Sequence, residues 1–203
     1  METTNKITIE PGSLTSSQSY KLMTAVIVPR PIAWITTVGK AGTYNAAPYS
    51  FFTGIATDPP IIGFSIGLRN GRKKDTLKNI EYSRDFVVNV VSESLKEGMN
   101  LSAVDFPEEV DEIEKANLTA LRSEKVKSPR IAESPVNMEC KLLKIMILGK
   151  SRDRFIIGEI VFYHVTRDII FDHKIDFSKM KALGRLAGAA YCRTTDLIDL
   201  PRL

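Results

Sequence analysis

Hydrophobic and polar positions alternate with a period of two, or run as short apolar blocks, through most of the chain. Pro31 to Val38 is apolar and β-branched; Ile61 to Gly67 follows the stiff Asp58-Pro59-Pro60; Asp85 to Val91 is a compact β-branched block. Met138 to Gly149 and Arg154 to Val165 are longer runs joined by Lys150-Ser151-Arg152-Asp153, a pattern that predicts a hairpin, and a short strand is expected within Thr166 to Phe171. Helical spacing is rarer. Lys74 to Arg84 puts Leu77 and Ile80 on one face, with Asp75 or Thr76 as N-cap. Ser94-Leu95-Lys96-Glu97 matches a capping box, Pro107-Glu108-Glu109 reads as another helix start, and Ser16 to Met23 as a short helix. Many strands separated by short helices predict a mainly β fold, a closed antiparallel barrel with peripheral helices, rather than a βαβ sheet. Lys125 to Val136 reads as a surface connection, and residues 1–203 as one domain.

Composition narrows the function classes. No window approaches the ~20 uninterrupted apolar residues of a membrane span, and Met1 to Glu10 has no apolar signal core, so a cytoplasmic protein with no membrane partner is expected. Cys140 and Cys192 sit in no CxxC and read as reduced, partly buried thiols; His164 and His173 form no HxxxH, so no metal site is expected. The net charge of +4 draws on one short cluster, Arg69, Arg72, Lys73 and Lys74, offset by acidic stretches such as Glu108 to Glu114. Nucleic-acid binders carry longer basic stripes, so a small anion is the better-scaled partner.

That cluster joins a strand to a helix. A helix start offers unpaired N–H groups and a positive dipole end, to which Lys74 adds charge and Thr76 a hydroxyl. No Walker A spacing is present, and a basic solvated loop is the plainer reading of this segment alone. Upstream, Thr36, Thr37, Asn45, Ser50 and Ser65 are candidates to hydrogen-bond the edge of a flat heterocycle, with Trp34 packed beside it and the small Ala46 and Ala47 allowing close approach. Taken singly, Trp34 reads as core and Asn45 and Ser50 as turn residues; their crowding within about thirty residues of the basic loop favours the joint reading. Lys181 to Tyr191 is rich in small residues and reads either as a packed terminal turn or as a loop lining a ligand or subunit interface. Neither a Gly-x-Ser-x-Gly elbow nor a Ser/His/Asp set occurs, so no catalytic acid, base or nucleophile is assigned; chemistry carried by a cofactor asks least of such side chains.

Several strings together resemble the flavin reductase-like family, the FMN-binding split β-barrels that include the flavoredoxins. They are Arg30-Pro31-Ile32-Ala33-Trp34-Ile35-Thr36-Thr37, Asn45-Ala46-Ala47-Pro48-Tyr49-Ser50-Phe51-Phe52, Pro59-Pro60 with Phe64-Ser65, and Lys74-Asp75-Thr76 with Asn79-Ile80. Phe86-Val87-Val88-Asn89-Val90, Glu139-Cys140, and Gly184-Arg185-Leu186 with Gly188 and Tyr191 complete the set, which spans roughly residues 20 to 202. The resemblance implies a Greek-key split barrel that forms a homodimer with one FMN per subunit near the junction. Thr36-Thr37 and Asn45 to Ser50 would line the ring and ribityl chain, Ser65, Lys74 and Thr76 would reach the phosphate, and Arg185 would lie near the cofactor. Ala187-Gly188 departs from the paired glycines of many relatives. The implied activity is hydride transfer from NADH or NADPH to FMN, then electron transfer to flavin, iron, oxygen or a protein partner. A flavoredoxin-type electron carrier without a nicotinamide site, and a flavin-binding module without turnover, are the alternatives.

Overall fold

The structure, a computed structural model, describes residues 5–201. Residues 1–4 and 202–203, which the single-domain and leader readings also covered, lie outside the described residues.

Seven strands build one antiparallel sheet: β1 (Ala33–Val38), β2 (Tyr44–Tyr49), β3 (Phe52–Thr57), β4 (Pro60–Ile66), β5 (Asp85–Val90), β6 (Val136–Leu148) and β7 (Asp153–Val165). Their spatial order is β2-β1-β5-β6-β7-β4-β3. The two edge strands, β2 and β3, are consecutive in the chain and joined by Ser50 and Phe51 alone. Seven flat strands would hold their edges about 29 Å apart. The link reaches only about 10 Å. The sheet therefore curls until its edges meet, a barrel split along the β2/β3 seam. Its interior is packed by Ile35, Phe64, Ile66, Leu77, Ile80, Phe86 and Ile156, all fully buried.

A second core lies outside β1. Trp34, Met99, Ile113 and Ile131 pack there with Leu95 and Leu183, under helices α3 (Lys96–Leu101) and α4 (Glu112–Lys115). With both faces covered, Ala33 to Thr37 are buried without alternation. Helix α1 (Ser16–Val26) opens on a capping box between Thr15 and Gln18 that the sequence reading did not single out. Helix α2 (Asp75–Ser83) lies between β4 and β5. A small sheet of Arg30–Pro31, Leu183–Arg185 and Tyr191–Arg193 ties the C-terminal segment to the chain entering β1.

Several local expectations are corrected. The residue flanking α2 is Lys74, not Asp75 or Thr76, and no side chain caps it. The capping box at Ser94 does not form: α3 starts at Lys96 with Leu95 as its uncapped flank, and Ser94 instead bonds the Ser92 hydroxyl. The helix expected from Pro107 begins at Glu112, because the Asp111 carboxylate accepts the N–H groups of Ile113 and Glu114. The segment read as a surface connection is held inward: Ser128 and Ile131 are fully buried. Carboxylates anchor it, Asp85 taking the N–H groups of Lys127 and Ser128, and Glu139 those of Glu124 and Lys125.

Candidate functional site

The seam between the barrel edges and the second core leaves a cavity of about 650 Å³. Strand β2 supplies one wall through Asn45, Ala47, Pro48 and Tyr49; the Arg69–Lys74 loop and the first turn of α2 supply another; Ser102 to Phe106 and Glu112 close the third side. A smaller cavity of about 290 Å³ continues past Pro48, Tyr49 and Ala103. It is bounded by Arg30, Ser50, Arg185 and Tyr191.

A buried hydrogen-bond network sets the floor of the larger cavity. Asn45 is its node: its Oδ1 accepts the Thr76 hydroxyl at 2.7 Å, and its Nδ2 donates to Glu112 at 2.9 Å. The Ala46 N–H donates to the other Glu112 oxygen at 3.2 Å. Thr37 accepts from Asn79 at 3.0 Å. The Thr76 proton thus points into the floor, and α2 offers the cavity its first-turn N–H groups, which no side chain caps. Burial, the largest cause, pushes the Glu112 carboxyl above its usual range; the amide bonds from Ala46 and Asn45 oppose this and the Asp75 charge adds to it.

Charge around this cavity is unevenly spent. Arg69 pairs with Asp105, Lys73 with Glu81, and Lys78 with Asp75 and Glu108. Among the described residues, Lys74 and Arg72, which both line the cavity, form no ion pair. The Lys74 ammonium sits 5.6 Å from the Tyr49 ring centroid. Burial first, and the Arg69 charge second, lower its pKa, so the amine is short of an anion. Tyr49 carries a second unmet demand. It is 7% exposed, and its hydroxyl, beside Thr76, makes no well-formed hydrogen bond. Burial pushes this phenol up to about 12, so it stays a neutral donor. An uncapped helix start, an unpaired ammonium and an unpartnered buried hydroxyl at one cavity suit a phosphate-bearing ligand.

The residues proposed from sequence are distributed unequally. Asn45, Ala47, Lys74 and Thr76 line the larger cavity, and Ser50 and Arg185 the smaller. Ala46 and Thr37 lie buried one step behind, in the network. Trp34 and Thr36 do not reach either cavity: the indole N–H donates to Ser102 at 2.9 Å, and the Thr36 hydroxyl is taken by the Pro129 carbonyl and Asn89. Ser65 also lines neither cavity, its N–H bonding the Phe51 carbonyl. Tyr49 falls within the Asn45 to Ser50 segment expected to line the ring; Arg30, though inside a quoted string, was given no site role, and Glu112 lay in an acidic run read only as offsetting the basic cluster.

Known proteins share the fold that carries this site. A family model described as flavin reductase like domain matches residues 23–177. Among solved structures, nitrilotriacetate monooxygenase component B from Bacillus cereus superposes with a TM-score of 0.93 at 35% identity, covering 96% of this chain and 98% of that one. The Pseudomonas fluorescens 2-nitrobenzoate 2-nitroreductase NbaA gives 0.89 at 36% identity, covering 97% and 96%. The flavoredoxin of Desulfovibrio vulgaris gives 0.74 at 20% identity over 85% and 91%, a likeness of fold alone. Among the described residues, no helix is long and apolar enough to cross a membrane, and no cluster of three or more His, Cys, Asp or Glu side chains is placed to hold a metal.

Proposed function

This chain belongs to the flavin reductase-like family, whose model covers most of its length, and on that premise we propose that it is an FMN-dependent oxidoreductase that accepts hydride from NADH or NADPH and passes electrons to flavin or another small acceptor. The observation that carries this reading is the larger cavity's anion end: the uncapped start of α2 beside Lys74 and Arg72, neither of which has an acidic partner among the described residues. When bound, FMN supplies the hydride-accepting ring that the side chains lack. The chain's own residues do the placing. The first-turn amides of α2, with Lys74 and Arg72, hold the phosphate; Ala47 and Pro48 of β2 give a flat, small-residue wall for the ring. Asn45 and Glu112 keep that wall fixed, because each amide and hydroxyl behind it is already paired. The wall would exclude water from the bound ring and orient it.

The same reading makes the protein a cytoplasmic homodimer. Phe51, Phe52 and Tyr191 are half-buried, Phe51 lying near Tyr20 with ring centroids 6.4 Å apart. Exposed apolar side chains concentrate instead on α1 and just beyond it, at Tyr20, Leu22, Met23, Val26 and Ile27, and on the far end of β6, at Ile147 and Leu148. Such patches on a monomer mark contact surfaces.

The test is anaerobic titration of the purified protein. We expect FMN to bind more tightly than FAD, to show in the visible spectrum, and to bleach with NADH or NADPH. Light scattering should report twice 22.6 kDa. A protein that binds FMN but does not bleach with either nucleotide is an electron carrier; one that binds neither flavin overturns the reading.

A further inference from the structure

The smaller cavity differs from the larger in one respect that points to its occupant: it has cations and no acid. Arg30 and Arg185 both line it, and no Asp or Glu does. Arg30 is 5% exposed, and every oxygen it meets is neutral. Its Nη1 donates to the carbonyls of Thr24 at 2.6 Å and Ile27 at 2.7 Å, its Nη2 to Leu186 at 2.9 Å, and its Nε to the Ser50 hydroxyl at 3.4 Å. The carbonyls fix the guanidinium without cancelling its charge. A buried cation lacking a counter-ion projects its field into the nearest low-dielectric space, which here is the cavity.

Arg185 is the second cation, half-buried at the mouth. Its guanidinium carbon stands 4.3 Å from the Tyr191 ring centroid and one Nη donates to the Gly188 carbonyl. Stacking of this kind pre-sets the planar fork while leaving N–H groups to offer. The cavity, whose lining includes both Tyr49 and Tyr191, holds about 290 Å³, the lower end of small-molecule sites, which run from roughly 300 Å³ upward. A dinucleotide is too large for it, and a spherical ion leaves the aromatic walls bare.

We infer that this cavity binds a small planar carboxylate of the arenecarboxylate class, its carboxylate forked by Arg185 over the field of Arg30 and its ring between Tyr49 and Tyr191. Bidentate pairing of guanidinium with carboxylate supplies orientation as well as attraction. The inference deepens the oxidoreductase reading and rests on it for one consequence only, that such an anion stands beside the flavin and is the acceptor class that site prefers. The occupancy itself depends on the cavity and not on the flavin.

Benzoate and its neutral isostere benzamide test it, by calorimetric titration of the purified protein saturated with FMN and of the same protein without added FMN. Benzoate should bind at least tenfold more tightly than benzamide. Arg185→Leu should bring benzoate down to the benzamide level in the FMN-saturated protein while the thermal unfolding temperature stays at the parental value, and Arg185→Lys, which keeps charge but loses the fork, should fall between. Equal binding of the two ligands, or parental benzoate affinity in Arg185→Leu, overturns the inference. Benzoate binding in a protein that takes up no FMN would sink the oxidoreductase reading and leave this one standing.

Discussion

The two cavities share Pro48, Tyr49 and Ala103, yet they manage positive charge in opposite ways. Around the larger one, cations are answered by acids: Arg69 by Asp105, Lys73 by Glu81, with Glu112 in the wall, so that Lys74 and Arg72 are left over. Around the smaller one the cations are answered only by carbonyls and a hydroxyl. The first arrangement leaves two unpaired cations beside a helix start, a combination suited to one phosphate. The second leaves a weaker, uncancelled field suited to a single negative charge. The contrast also separates two jobs for a buried polar group. Asn45 and Glu112 are structural supports behind a binding wall, whereas Arg30 is a support whose charge is itself exported.

The largest expected effect breaks the second arrangement. Arg30→Met removes the donor that joins α1, the seam at Ser50 and the C-terminal segment at Leu186, and leaves their buried acceptors unpaired. Stability should fall by about 3–5 kcal/mol. Arg72→Ala, at an exposed and unpaired cation of the first cavity, should stay within about 0.5 kcal/mol of the parent. Urea unfolding of the two variants decides; similar midpoints would mean that Arg30 does not hold the junction.

That contrast explains what could be read from the chain. The β character was legible because the long strands β6 and β7 carry apolar residues through most of their length about a polar turn, and the split barrel because the strings around Arg30 and Asn45 resemble those of the flavin reductase-like family in order and spacing. Strand β2 was not legible as a strand. Its Asn-Ala-Ala-Pro composition lacks β-formers, and Pro48 is admissible only because β2 is an edge. The clustering of Asn45, Ala47, Lys74 and Thr76 was readable as proximity along the chain, since a loop-to-helix junction near an edge strand brings them to one cavity. The facing of Trp34 and Thr36 was not. On a strand buried on both sides, alternation carries no information about which face meets a ligand. Glu112 was hidden for a related reason: nothing local distinguishes it from its solvated neighbours Glu108, Glu109 and Glu114, and only the fold of α4 against β2 buries it.

A middle-sized effect sharpens the first arrangement. Lys74→Ala should weaken FMN binding by ~1–3 kcal/mol, about 10–100-fold, through loss of one charge-assisted contact. Riboflavin, which has no phosphate, should bind the variant and the parent alike, and benzoate binding in the second cavity should be unchanged. Thr76→Ala is the informative companion. Because the Thr76 proton goes to Asn45, its loss should act mainly on stability, by about 1 kcal/mol, and less on FMN than Lys74→Ala does. If riboflavin falls together with FMN in Lys74→Ala, the ammonium supports the fold of the cavity rather than a phosphate within it.

The smallest effect concerns the acid in the wall of the first cavity, and its sign follows from burial. The Glu112 carboxyl lies above the usual carboxylate range chiefly because it is desolvated. Between its ordinary value, 4.5, and its raised value in the folded protein, the native state binds more protons than the unfolded state, so stability falls as pH rises through that window. Below the window the carboxyl is neutral in both states and costs nothing; above it the charge is buried at full cost, offset by the bonds from Ala46 and Asn45. Glu112→Gln does not titrate. The stability of the parent minus that of the variant should therefore be greatest at about pH 4 and smaller at about pH 7, read from urea midpoints at the two values. FMN should follow the same sense: a neutral group in the wall opposes a dianion less than a carboxylate does, so the parent's affinity should approach that of Glu112→Gln as the pH is lowered. A difference that grows with pH would mean that the two amide bonds outweigh desolvation, and that Glu112 strengthens the wall as an anion instead of being tolerated there as one.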